Sequence, residues 1–356
     1  MTGLYIHIPF CERKCFYCDF ASYADKFDKV KSYIDAVIEE SKDYEGAAVS
    51  TVFIGGGTPS CIYDGEIARL IDGIKKHIDL SDVCEFTIEA NPNSLTYDKA
   101  CEYYETGINR ISIGLQSSNE RLLKLIGRLH SPMQFTDAVN FAKKAGIHNI
   151  NADMMYSLPT QTVKDVSDTA EFILAHGVNH ISAYSLILEE GTPLSLSDPV
   201  LPDEDTDREM FYTIKNILKE NGLKRYEISN FAAPGYESRH NLIYWRVNDY
   251  IGLGSAAHSC YNGMRYANPN DINEYILGIR HTGEEKQELL TEKIMLGTRL
   301  TEGIDINLLP DKKSINELIE RMCKHGLCRT LNGRFMLTDA GMDIQNEILS
   351  ELLNLL

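Results

Sequence analysis

The chain has 356 residues, with 52 acidic against 35 basic side chains and a formal net charge of −17. That balance excludes a general nucleic-acid binder, which needs a basic surface to neutralise phosphates, while 43% hydrophobic and 24% charged residues are ordinary for a globular protein with a sizeable core. No apolar run reaches the ~18 residues of a membrane span, and no leader-like pattern opens the chain, so a cytoplasmic location is expected.

The first two-thirds alternate short apolar runs with amphipathic stretches. Strands are predicted at residues 4–8, 51–54, 85–89, 110–113, 149–154 and 181–186, with another at 225–228. Between them, Val30, Tyr33, Ile34, Val37 and Ile38 fall at helical spacing. So do Phe135, Ala138, Val139 and Ala142, started by Ser131-Pro132 and stopped by Gly146. Six strand–helix units in succession predict an α/β fold with a parallel sheet and right-handed crossovers, flat or curved, with too few strands to close an eight-stranded barrel. In either geometry ligands bind at the carboxyl ends of the strands.

Directly after the first strand comes Cys11-Glu12-Arg13-Lys14-Cys15-Phe16-Tyr17-Cys18. The other six cysteines are dispersed, so no disulfide framework is expected. Three thiolates at this spacing suit three irons of a cubane cluster and leave the fourth iron open. Zinc stays open on the cysteines alone, although it favours paired Cys-x2-Cys units and four protein ligands. After the second strand, Gly55-Gly56-Gly57-Thr58-Pro59 lets backbone approach a ligand closely. Glu89, Gln116, Arg128 and Asp153 then place polar groups at or after successive strand ends, where an arginine fork suits a carboxylate.

The cysteine spacing resembles the radical S-adenosylmethionine (SAM) superfamily. That resemblance implies a 4Fe–4S cluster on Cys11, Cys15 and Cys18, with SAM chelated to the open iron and cleaved by an electron to methionine and a 5′-deoxyadenosyl radical. Tyr17 matches the position that contacts adenine, and GGGTP is similar to the motif that binds the SAM amino group. Residues 5–11 (Tyr-Ile-His-Ile-Pro-Phe-Cys), GGGTP, Ile88-Glu89-Ala90-Asn91-Pro92 and Ser112-Ile113-Gly114-Leu115-Gln116 resemble the oxygen-independent coproporphyrinogen III oxidase-like branch. By that resemblance Tyr5, Gly56, Gly57, Thr58, Glu89, Gln116, Arg128 and Asp153 contact SAM. The fold implied is a partial (β/α)6 TIM-like barrel of the radical SAM type. The branch's Gly-Leu-Pro reads Ser157-Leu158-Pro159 here.

Within the branch, the oxidases carry a fourth cysteine where this chain has Phe20, and an extension where it has ten residues before Cys11. The haem-chaperone subgroup instead has Cys-Asp-Phe and His-Asn-x-x-Tyr-Trp. Both are similar to Cys18-Asp19-Phe20 and His240-Asn241-Leu242-Ile243-Tyr244-Trp245, which holds the only tryptophan. The resemblance implies a chaperone that binds haem and passes it to an acceptor haemoprotein; it allows for a membrane-associated acceptor and for a homodimer. The alternative is radical decarboxylation of two propionates of coproporphyrinogen III.

His240 is a candidate axial ligand for haem iron, with Tyr244 and Trp245 as apolar surfaces for the macrocycle. The same stretch could instead fix a loop by hydrogen bonds. His7 reads as structural, and Cys323 and Cys328 as tail cysteines without further ligands. Three regions are expected: a radical SAM core at 1–195, an extension carrying the His-Asn-x-x-Tyr-Trp motif at 196–283, and a small, mainly helical, winged-helix-like domain at 284–356 with a hairpin at Asn332-Gly333.

Overall fold

The computed structural model describes residues 1–356. The six expected strands form as β1 (Gly3–Ile8), β2 (Thr51–Gly56), β3 (Glu85–Ala90), β4 (Arg110–Gln116), β5 (Asn149–Tyr156) and β6 (His180–Ser185). They lie side by side in chain order, each parallel to the next. β7 (Lys224–Arg225) and β8 (Asn230–Ala232) follow, then β9 (Tyr250–Leu253), β10 (His258–Tyr261), β11 (Met264–Ala267) and β12 (Thr282–Lys286). The full order is β12-β11-β10-β9-β1-β2-β3-β4-β5-β6-β8-β7, an open sheet with two free edges.

Two strand expectations are corrected. Residues 226–229 are not strand. Arg225 folds back onto the Glu227 and Ile228 carbonyls (3.2 and 2.9 Å), and the Glu227 carboxylate accepts from Ser229 N–H at 2.9 Å, so the segment turns between β7 and β8. A seventh parallel strand also exists, because β9 pairs with β1 on the side away from β2.

Side-chain parity along the strands separates two environments. Ile111, Ile113 and Leu115 of β4, with Ile150, Ala152 and Met154 of β5, join the main apolar core, together with Tyr33 and Ile34 of helix Val30–Glu40 and Phe135 and Ala138 of helix Pro132–Ala145. The alternate residues, Ser112, Gly114 and Gln116, then Asp153 and Met155, then Ser182 and Tyr184, point to a cavity on the other face. Helix Pro132–Ala145 has the predicted boundaries: Ser131 and Gln134 form a capping box, Pro132 opens the first turn, and Gly146 ends the helix at φ 105°.

Toward the C-terminus, β13 (Ile304–Asp305), β14 (Cys328–Leu331) and β15 (Arg334–Leu337) make a separate three-stranded sheet. Asn332 and Gly333 turn its hairpin with φ of 51° and 73°, both positive as an Asn-Gly turn of two residues requires. This sheet, helix Lys313–Lys324 and helix Gln345–Leu353 bury an apolar cluster of their own around Phe335, Ile315 and Leu352. No helix of the chain is long and apolar enough to cross a membrane.

Candidate functional site

A cavity of about 560 Å³ opens at the carboxyl ends of β2 to β6. Cys11, Cys15, Cys18 and Tyr17 line it from the loop after β1; Gly56, Gly57, Thr58, Glu89, Gln116, Arg128 and Asp153 line it from the strand ends. Eleven sequence-predicted positions therefore meet in one place. Burial pushes the Cys18 thiol up to about 11, with smaller changes from the Phe20 N–H and the neighbouring thiols. A coordinating metal deprotonates such a thiol outright.

The GGGTP segment is stapled beneath the cysteine loop. Gly57 N–H donates to the Ile8 carbonyl (2.9 Å) and Thr58 N–H to the Phe10 carbonyl (2.7 Å). A Cβ on Gly57 would meet Phe10 O at 2.6 Å, and one on Gly56, which has φ 110°, would meet the His7 ring at 2.5 Å. His7 is held between Tyr5 Oη and the Ala21 carbonyl, each at 2.9 Å, which is the structural role expected of it. Cys11 Sγ lies 3.5 Å from Thr58 Oγ1.

Two half-buried carboxylates and one half-buried guanidinium line the cavity. Glu89 accepts from Gly56 N–H at 3.1 Å. Burial, then the charge of Asp153, raises its pKa to about 8 despite that bond. Asp153 is raised as well, chiefly by burial, while Asn151 Nδ2 donates to it at 2.7 Å. Arg128 Nη2 donates to Asn91 Oδ1 at 2.7 Å and to the Gly114 carbonyl, Nη1 lies 3.5 Å from Cys15 Sγ, and Nε has no partner. Gln116 accepts from Tyr184 Oη at 2.9 Å, at φ 70° beside an irregularity in the β4–β5 ladder. Backbone strain in a non-glycine residue at a strand end is common where geometry serves a ligand.

These groups fit an iron–sulfur cluster with SAM. The three thiols border one cavity, and three thiolates suit three irons of a cubane cluster. SAM carries an ammonium, a sulfonium and a carboxylate. Glu89 and Asp153 complement the two cations, and Arg128, with its unpartnered buried Nε, complements the carboxylate.

The structure places Tyr5 and His240 elsewhere. Tyr5 sits one step down the lumen, level with Phe53 and Thr87, and hydrogen-bonds His7. His240 lies at the opposite, amino end of the sheet, against Gly3 and away from the cavity that holds the three cysteines. Its ring stacks on Phe53 at 5.3 Å, Nδ1 bonds Thr51 Oγ1 at 2.8 Å, and Nε2 bonds Tyr244 Oη at 2.7 Å. Its backbone N–H and that of Arg239 donate to Glu85. Burial, then the Arg110 charge, lowers the imidazole to about 3, which keeps it neutral. Both ring nitrogens are engaged, so the residue ties helix Arg239–Trp245 to β2 and β3. His240→Ala is expected to cost about 2–4 kcal/mol of stability, from the cavity and two stranded hydroxyls. Denaturant midpoints measure this, and an unchanged midpoint with lost haem binding would instead identify His240 as a haem ligand.

Asn91, Ser112, Ser182 and Tyr184 are cavity residues that the sequence reading did not single out. Asn91 matters most, because it bridges Thr58 Oγ1 (3.1 Å) and Arg128. Cys323 and Cys328 lie together in the C-terminal region with sulfurs 3.2 Å apart, far in sequence from the cavity residues.

Residues 5–173 match the radical SAM superfamily model, and residues 285–344 match that of the HemN C-terminal domain. The chain is 36% identical to the heme chaperone HemW of Lactococcus lactis subsp. lactis (strain IL1403), over 99% of this chain and 97% of that protein. It is 33% identical to the heme chaperone HemW of Bacillus subtilis (strain 168), over 98% of each, and 39% identical to that of Escherichia coli (strain K12), over 72% of this chain and 69% of the relative. Coproporphyrinogen III oxidase HemN from Escherichia coli, a radical SAM enzyme, superposes with a TM-score of 0.87 over 100% of this chain and 90% of that one, at 20% identity. That likeness bears on the fold alone.

Proposed function

The chain belongs to the HemW family of the radical SAM superfamily, and from that membership we propose that it binds haem and transfers it to an acceptor haemoprotein. The observation that carries this reading is the likeness to heme chaperones along nearly the whole chain, at 36% identity over 99% of it. The site supports it with three thiols on one cavity and Phe20, rather than a fourth thiol, at its rim.

In this reading Cys11, Cys15 and Cys18 hold the 4Fe–4S cluster, and SAM lies between Gly56-Gly57-Thr58, Glu89, Gln116, Arg128 and Asp153, with Tyr17 toward the adenine. Bound together, cluster and SAM supply one-electron reductive chemistry. This chain's own residues orient the ligand: Arg128, fixed by Asn91 and the Gly114 carbonyl, presents its remaining donors to a carboxylate, while Glu89 and Asp153 face cationic groups. The reading implies work in the cytoplasm, with acceptors that include membrane-associated haemoproteins, and it accommodates a homodimer.

The test uses anaerobically reconstituted protein. Added haem is expected to give a saturable Soret band and to move to an apo-haemoprotein on mixing. Coproporphyrinogen III with SAM and a reductant is expected to stay unconverted. Sustained conversion to protoporphyrinogen would overturn the chaperone reading in favour of oxidative decarboxylation.

A further inference from the structure

We propose that haem seats at the mouth of the cluster cavity, with its macrocycle between Phe20 and Ile187 and its propionates toward Lys14. This rests on the haem-chaperone reading and adds to it the place and orientation of the cargo.

Phe20 and Ile187 are 64% and 70% exposed, yet both line the cavity that holds the three cysteines. Large apolar side chains left in water at a cavity mouth mark a surface that another apolar body covers. Phe20 belongs to the loop after Cys18, and Ile187 to the segment after β6, so the two reach the mouth from different parts of the chain. Leu186, also lining the cavity, continues the apolar surface inward. An aromatic face and a branched aliphatic side chain suit a flat, apolar ring system.

Charge fixes the orientation. Lys14 Nζ donates to the Phe20 carbonyl at 2.9 Å, which leaves two of its three N–H donors free beside the apolar rim. Arg13 also lines the cavity; its Nη2 is held by the Gly127 and Arg128 carbonyls at 2.7 and 3.3 Å, and its charge adds to that of Lys14 on the same side of the mouth. Asp19 and Glu189 lie on the same rim and repel carboxylates. A molecule that combines a flat apolar body with two carboxylates on one edge is therefore favoured with that edge toward Lys14, beside Arg13 and away from Asp19 and Glu189. Haem has this shape. His240 cannot serve a ligand here, because it lies at the other end of the sheet with both ring nitrogens bonded.

The experiment titrates haem into the reconstituted, cluster-loaded protein and reads the Soret band. Wild type and the variants Phe20→Ser, Ile187→Ser and Lys14→Ala are compared, with the cluster's visible absorption recorded for each. Ile187→Ser, remote in sequence from the cysteines, and Phe20→Ser are each expected to weaken haem binding on the order of tenfold with cluster absorption retained. Lys14→Ala is expected to weaken haem but not haem dimethyl ester, which lacks the free carboxylates. Unchanged affinity in both Phe20→Ser and Ile187→Ser, in a protein whose wild type binds haem, would overturn the seat while leaving the chaperone reading intact. A wild type that does not bind haem would overturn both.

Discussion

Replacing Cys15 with Ala is expected to reduce iron and sulfide in the reconstituted protein to background and to remove the broad visible absorption of a 4Fe–4S cluster. Three cysteines border the cavity, and a cubane held by two thiolates has lost a third of its protein anchors. Because Cys15 is half-buried in a loop and outside the apolar core, the metal-free variant should keep its denaturant midpoint, with a change within ~0.5 kcal/mol typical of such positions. The Arg128 guanidinium, 3.5 Å from Cys15 Sγ, keeps its bonds to Asn91 and Gly114, so SAM-facing groups stay in place. A folded variant with full iron and sulfide would refute the ligand assignment, and a wild type that holds zinc alone would refute the cluster.

The alternation of β3 to β6 explains why so much of this site can be read from sequence. Once Glu89 and Asp153 are placed on the inner face, a step of two residues leads from Gly114 to Ser112 and Gln116, and from Ser182 to Tyr184. The polar or small residue at most inward positions, Met155 excepted, marks a polar lumen, since strands covered by helices on one face carry apolar residues there. Ser112, Ser182 and Tyr184 were therefore within reach of a stricter use of parity. Asn91 was not, because its importance lies in bridging Thr58 and Arg128, which are distant in sequence.

Other features depend on long-range contacts. β9 is only Tyr250-Ile251-Gly252-Leu253, too short for periodicity to be convincing, and its partner β1 lies at the other end of the chain. Gly252 is there for space: a Cβ would meet His258 O at 2.2 Å. The His-Asn-x-x-Tyr-Trp motif was plain in the sequence, but whether His240 meets a ligand or a neighbour depends on which strand end its helix packs against, and it packs against Thr51 and Glu85. Ser157, where the branch has glycine, holds φ 59°, a left-handed conformation that glycine adopts freely. Its hydroxyl bonds Asp207, an anchor that glycine would lack.

Glu89→Gln should remove the pH dependence that this carboxyl imposes on the ligand-free protein. In the folded chain its pKa stands near 8 against an ordinary 4.5, raised by burial and then by Asp153, with Gly56 N–H and Arg110 opposing. Between those values the folded chain keeps a proton that the unfolded chain has released. Stability from this group is therefore fully present below pH 4.5 and is lost as pH rises toward 8. At one unit per ~1.4 kcal/mol, the loss is on the order of a few kcal/mol. The neutral amide removes that slope, so the variant should unfold at higher denaturant than wild type at alkaline pH, and the gap should close toward the acid end. The same proton reports on the ligand. An ammonium or sulfonium beside Glu89 favours the carboxylate, so SAM binding near neutrality should release a proton from wild type, and less or none from the variant. Calorimetric titration in two buffers of different ionisation enthalpy counts that proton; equal counts for the two proteins would show that Glu89 does not face the cationic part of SAM.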